Sequence, residues 1–184
     1  MLDFKALTDD DRREFYRLYR LYWKEARKCE PAQAYLAGCV MLGAALETLL
    51  ILMVDCYREE VAVAGHAPMK DGGLKPLLNW NLGDLLRVAK ALNWLPAGLA
   101  LNDDWNHRKA RIGDYAEVAR MVRNLAHPAR YRTDHFQRRV TKRHLRMQFE
   151  VVEGCRGWLV DHNYKALRQG MAKDESTDRD DKGN

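Results

Sequence analysis

Between Arg120 and Arg146 the chain carries nine lysines or arginines against a single acid, Asp134, a local excess of eight positive charges. The whole chain carries only +5, so the remaining residues sum to −3 and the basic character belongs to this window. Such concentration favours a polyanionic partner, because cations that neutralise phosphates release counterions. Charge alone fits a solvated basic face equally well. At about 100° per residue, Arg120, Arg123 and His127 fall on one helix face, about 180° from the apolar line Val118, Val122 and Leu125. These three side chains are expected to project together, off the core. Arg139, Arg143 and Arg146 form a second stripe, with Lys142 beside it, next to the apolar line Leu145, Phe149, Val152, Cys155 and Leu159. The loop from Pro128 to Thr133 joins the stripes and brings Arg130 and Arg132 near. Tyr131 lies inside it, where its ring can either stack on a base or pack the loop onto the bundle.

Each of these residues also has a plainer reading. His127 with Pro128 makes a helix stop, a cation at the negative end of the dipole. Asn124 can anchor the loop that follows. Glu47, set in the apolar run Ala44-Ala-Leu-Glu-Thr-Leu-Leu50, can be a buried carboxylate paired with Arg120 or Arg123, a tie between helices with no chemistry of its own. The other histidines stand apart from one another, and Cys29, Cys39, Cys56 and Cys155 form no Cys-x-x-Cys pair. Neither set has the short paired spacing of a zinc site, so no metal is expected and the cysteines read as reduced thiols of a cytoplasmic protein. No glycine-rich phosphate loop is present either, since Gly72-Gly73 lacks the strand and the following lysine and serine that such a loop requires.

The elements that must position these residues read as helices. Thr8 with Asp9, Asp10 and Asp11 predicts an N-cap and an acidic first turn, opening a helix to about Lys28 with Phe15, Leu18, Tyr19, Tyr22 and Ala26 as its buried stripe. Pro31 suits the first turn of a second helix that continues through Glu47 to about Glu60. Its stretch Ala32–Val54 is apolar almost throughout and long enough to span a bilayer. Glu47 within it would be costly in lipid, and a central helix enclosed by its neighbours accounts for the apolarity, so no membrane is expected. Gly65, Pro68, Gly72 and Gly73 mark a loop. Asn81 with Asp84 resembles a capping box opening a third helix, buried through Leu82, Leu85, Leu86, Ala89 and Leu92 and closed by Pro96 and Gly98. A fourth helix runs from about Gly113 and stops near His127, because Pro128 disfavours helical geometry in the residue before it. Thr133 or Asp134 caps a long fifth helix to about Leu167. The class is all-α, an antiparallel bundle of about five helices forming one domain over residues 1–169, with essentially no sheet. Residues 170–184 are charged and polar and read as a disordered tail.

At Arg120-Met-Val-Arg-Asn-Leu-Ala-His-Pro-Ala-Arg-Tyr131 the sequence resembles the HEPN superfamily, helical proteins found with nucleotidyltransferases and in many RNases and toxins. The Glu47 run and the segment Leu82-Gly-Asp-Leu-Leu-Arg-Val-Ala89 are similar to that family as well. The resemblance implies an HEPN-like bundle, a two-fold homodimer whose motifs face each other, and RNA or an antitoxin or nucleotidyltransferase as partner. It also implies metal-independent RNA cleavage without a cofactor, in which a ribose 2′-hydroxyl attacks the adjacent phosphate. His127 would move the proton, Arg120 or Arg123 would stabilise charge on the phosphoryl oxygens, and Asn124 would orient the phosphate or backbone. Catalytic members place four to six residues between arginine and histidine. Arg123 has three before His127, although Asn124 follows it as in the family; Arg120 has six but is followed by Met121. Non-catalytic relatives keep an arginine-asparagine pair followed by histidine-proline, so an adaptor that binds a protein or nucleotide is the other function implied.

Overall fold

The structure is a computed structural model and describes residues 5–95, 120, 123, 126–129, 140–157 and 160. The expected tail over residues 170–184, the segment from Pro96 to Gly98 and most of the fourth helix lie outside them. Helix accounts for 72% of the described residues, against two strands of two residues each, so the class is all-α.

Helix α1 (Asp9–Cys29) opens on a complete capping box: Thr8 Oγ1 accepts the Asp11 N–H, and the Asp11 carboxylate accepts the Thr8 N–H. Its end differs from expectation. Pro31 belongs to a turn, not to the next helix. The Gln33 and Ala34 N–H groups donate back to the carbonyls of Glu30 and Cys29, and Gln33 takes a left-handed φ of 55°. This is the doubly bonded helix stop that satisfies the last carbonyls of α1.

Helix α2 (Tyr35–Cys56) therefore starts four residues after Pro31, and it ends before Glu60. Tyr57 leaves helical geometry (φ −115°, ψ 31°), so the expected continuation is a separate helix, α3 (Arg58–Val63). The two long helices run antiparallel. At one end Asp55 Oδ1 accepts the Leu7 N–H (2.8 Å) and Oδ2 accepts Arg12 Nε–H (2.7 Å); at the other, Cys29 lies against Gly38. Only Ala37 and Cys56 of α2 are exposed. Its length and composition would also suit a membrane span, but here α1, α4 and the C-terminal helix cover it, which accounts for its apolarity.

The loop before α4 contains a small hairpin that the sequence reading missed. Strands β1 (Met69–Lys70) and β2 (Gly73–Leu74) pair antiparallel across Asp71-Gly72, both with positive φ, the type I′ geometry that Asp-Gly favours. Helix α4 (Leu82–Ala91) carries the expected capping box of Asn81 and Asp84 and buries Leu82, Leu85, Leu86 and Ala89, with Leu92 partly buried. Asn93, at φ 56°, ends it well before Pro96: the Asn93 and Trp94 N–H groups close on Lys90 and Ala89, and the buried Trp94 ring packs on Tyr57.

The C-terminal helix α5 covers 142–157 and includes 160. Thr133 and Asp134 lie outside the described residues, but Val140 and Thr141 are not helical, so neither of those caps this helix. Thr141 does. Its carbonyl accepts the Leu145 N–H, while its own N–H donates to His144 Nδ1 (3.1 Å), the histidine taking the part of the usual acid of a capping box. Leu145 meets Gly38, Phe149 sets its ring edge-on to Trp23 (5.2 Å, 89°), and Arg156 acts on Tyr19, so α5 runs antiparallel to α1.

Candidate functional site

The site is built on α2. Gly43 and Glu47 lie one turn apart on it, and Arg123 occupies the slot they make. A Cβ added at Gly43 would come within 2.7 Å of Arg123 Cβ and 2.8 Å of its Cδ, so the glycine lets the arginine stem lie directly on the α2 backbone. One turn on, Arg123 Nη2 donates to Glu47 Oε2 at 2.8 Å, the two side chains 31% and 19% exposed. Arg120 is half-buried and lies beside another element: its Cδ would be at an ordinary contact distance, 3.6 Å, from a Cβ at Gly83 in the first turn of α4.

This corrects the expected common face. Arg123 turns inward to α2 and Arg120 against α4, while His127 is exposed in a bend, with the Ala126 N–H closing on the Arg123 carbonyl at 3.2 Å. A face drawn from valines and leucines alone misplaced the arginines because a carboxylate on a neighbouring helix repays the burial of one guanidinium. Of the two pairings open to Glu47, the structure makes the one with Arg123. Pro128 and Ala129 return to helical geometry immediately after the bend, as a proline at a first helical position does.

The basic window is also partly neutralised from within. Glu30, just past the end of α1, takes Lys142 (3.1 Å) and Arg146 (3.0 Å), a contact across 116 residues that ties α1 to the start of α5. Hydrogen bonds from Lys142 and then Arg146 hold the Glu30 carboxyl below the ordinary glutamate range. Arg143, between them, is exposed. Val140 and Thr141 are not helical, so the described part of the second stripe, Arg143 and Arg146, begins with α5. Asn124, Arg130, Tyr131, Arg132 and Arg139 themselves lie outside the described residues.

Sequence reasoning missed Glu30, whose role depends on a distant contact, and Gly43, whose slot is defined only by the distant Arg123 that fills it. Burial pushes the thiols of Cys39 and Cys155 up to about 12, which keeps both protonated and unreactive at neutral pH. Among the described residues no group of three or more His, Cys, Asp or Glu is placed to hold a metal ion. No family model, no curated protein and no solved structure matches the chain.

Proposed function

We propose that this chain is an RNA-binding protein of the HEPN type that cleaves RNA without a metal, with His127 and Arg120 as its working residues. The observation that carries the assignment of roles is the seat of Arg123. An arginine held on Gly43 and paired with Glu47 is a positioning residue: it fixes the register of its helix on α2, and one turn later His127 emerges into solvent. Arg120 has the wider spacing to His127 that the resemblance calls for, and in this reading it meets the phosphate.

In this reading His127 accepts the 2′-hydroxyl proton as that oxygen attacks phosphorus. The bond from phosphorus to the 5′-oxygen breaks, the leaving oxygen takes a proton from water, and the products are a 2′,3′-cyclic phosphate and a 5′-hydroxyl end. Arg120 stabilises the charge that gathers on the phosphoryl oxygens in between. Arg130, Arg132, Arg139 and Arg143 supply electrostatic binding, Tyr131 a stacking surface, and Asn124 orientation. The protein works in the cytoplasm as a two-fold dimer that joins two motifs, with an antitoxin or nucleotidyltransferase as its protein partner.

The Arg123–Glu47 pair favours one other reading. An ion pair that holds helices together is sufficient for a non-catalytic adaptor, which would keep the arginine and histidine for shape alone. Substitution separates the two. Arg120→Ala in an enzyme costs more in rate than in affinity, and His127→Ala abolishes cleavage while leaving RNA bound; an adaptor has no cleavage to lose.

A further inference from the structure

The face of α1 turned away from α2 surrounds a shallow depression of about 460 Å³ lined by Arg13, Tyr16, Arg17, Arg20, Leu21 and Lys24. Its four cations recur at three- and four-residue intervals, so successive charges advance roughly 4.5–6 Å along one side of the helix. Tyr16 and Leu21 stand among them 57% and 38% exposed. Arg13 and Arg17 pair with Asp10 and Glu14 one turn back, exposed contacts of a kind that solvent weakens and a stronger anion can replace. Arg20 and Lys24 have no carboxylate partner among the described residues. Farther along, Arg27 lies over the Trp23 ring at 5.7 Å, and just past the helix end Glu30 gathers Lys142 and Arg146. The line of cations on α1 therefore leads, over roughly 26 Å of helix, to the basic start of α5.

We infer that this face of α1 is a second binding surface for a single-stranded polynucleotide, with backbone phosphates on Arg17, Arg20 and Lys24 and a base stacked on Tyr16. The inference rests on the RNA reading above and adds to it a surface that lies outside the Arg120–Arg146 window. An exposed aromatic ring among regularly spaced cations is the combination that holds single strands, charge for the backbone and a flat apolar surface for the base. An anionic membrane is the weaker partner. A helix that lies on lipid buries its apolar face in it, whereas Phe15, Tyr19, Tyr22 and Trp23 of α1 are already packed on the protein core.

The test is the salt dependence of binding between the full chain and a fluorescent single-stranded oligouridylate, with helicity of each variant checked by circular dichroism. Arg20→Ala with Lys24→Ala removes two phosphate contacts and flattens the log–log slope by about 1.4. Tyr16→Ala weakens binding about fivefold or more with the slope unchanged. If these variants bind as the parent does while Arg139→Glu with Arg143→Glu weakens binding, the α1 surface is refuted and the RNA reading stands. Absence of salt-sensitive binding by the parent chain refutes both. If RNA binding is unmoved but adsorption to phosphatidylserine vesicles depends on Arg20 and Lys24, the surface is a membrane contact and the inference is overturned.

Discussion

Arg123 lies along α2 over Gly43 and ends on Glu47, its Nη2 2.8 Å from Oε2, so one side chain fixes where its helix sits on the central helix of the bundle. Both partners are partly shielded from water, which makes either one costly to strand. Arg123→Ala and Glu47→Ala should each cost about 1.5–3 kcal/mol, and the double variant distinctly less than their sum, because the second removal strands nothing further. Urea unfolding of the four proteins checks this; strict additivity would mean the pair contributes nothing as a pair.

Gly43→Ala tests the slot rather than the charge. The nearest atom to the new methyl is Arg123 Cβ, which is fixed to its backbone and cannot swing aside as the end of a long chain would. The helix carrying Arg123 must then shift, at a cost of about 1–3 kcal/mol. A variant as stable as the parent, with the helix unmoved, would show that the close approach is not required.

How much of this was legible depended on the range of the interaction. The capping boxes at Thr8 and Asn81 are local hydrogen-bonding patterns, and the sequence carries them in full. Asn93 is an equally local sign of a left-handed stop. Gln33 is not, since nothing in a glutamine announces φ > 0, and Pro31 is the stronger local sign of a helix start. Before α5, Thr133, Asp134 and Thr141 are all good cap residues, so the sequence pattern alone does not separate them. Thr141 is set apart by its bonds to Leu145 and His144, and Leu145 is also packed against Gly38, where a Cβ would lie 2.6 Å away. Glu30 and the inward turn of Arg123 are tertiary pairings between distant segments, which periodicity along one helix does not encode.

The α1–α5 tie should respond to acid. A carboxyl whose pKa falls on folding stabilises the protein above its unfolded value, near 4.5 for Glu30, and that contribution fades as pH drops through the lower folded value. The difference in urea midpoint between the parent and Glu30→Gln should be steady from about pH 8 to about pH 5 and shrink below about 4.5. A difference that persists unchanged to about pH 3 would show that the ionised pair is not its source.

Gln148 offers a gain. It is 3% exposed in α5, and among the described residues neither its amide oxygen nor its nitrogen has a hydrogen-bond partner. Gln148→Met keeps the length and removes the buried polar atoms, so it should stabilise the fold by roughly 1 kcal/mol. Thermal unfolding decides it, and a lower midpoint would show that the amide is satisfied in solution.

The central claim concerns His127, and the most direct measurement is incubation of the purified full chain with single-stranded RNA in the presence of a metal chelator, followed by analysis of the ends produced. The account predicts fragments with 2′,3′-cyclic phosphate and 5′-hydroxyl ends from the parent chain. His127→Ala should yield none while binding RNA with nearly parental affinity, and Arg120→Ala should bind but cleave slowly. RNA that is bound and never cut, or cleavage that survives His127→Ala, would contradict it.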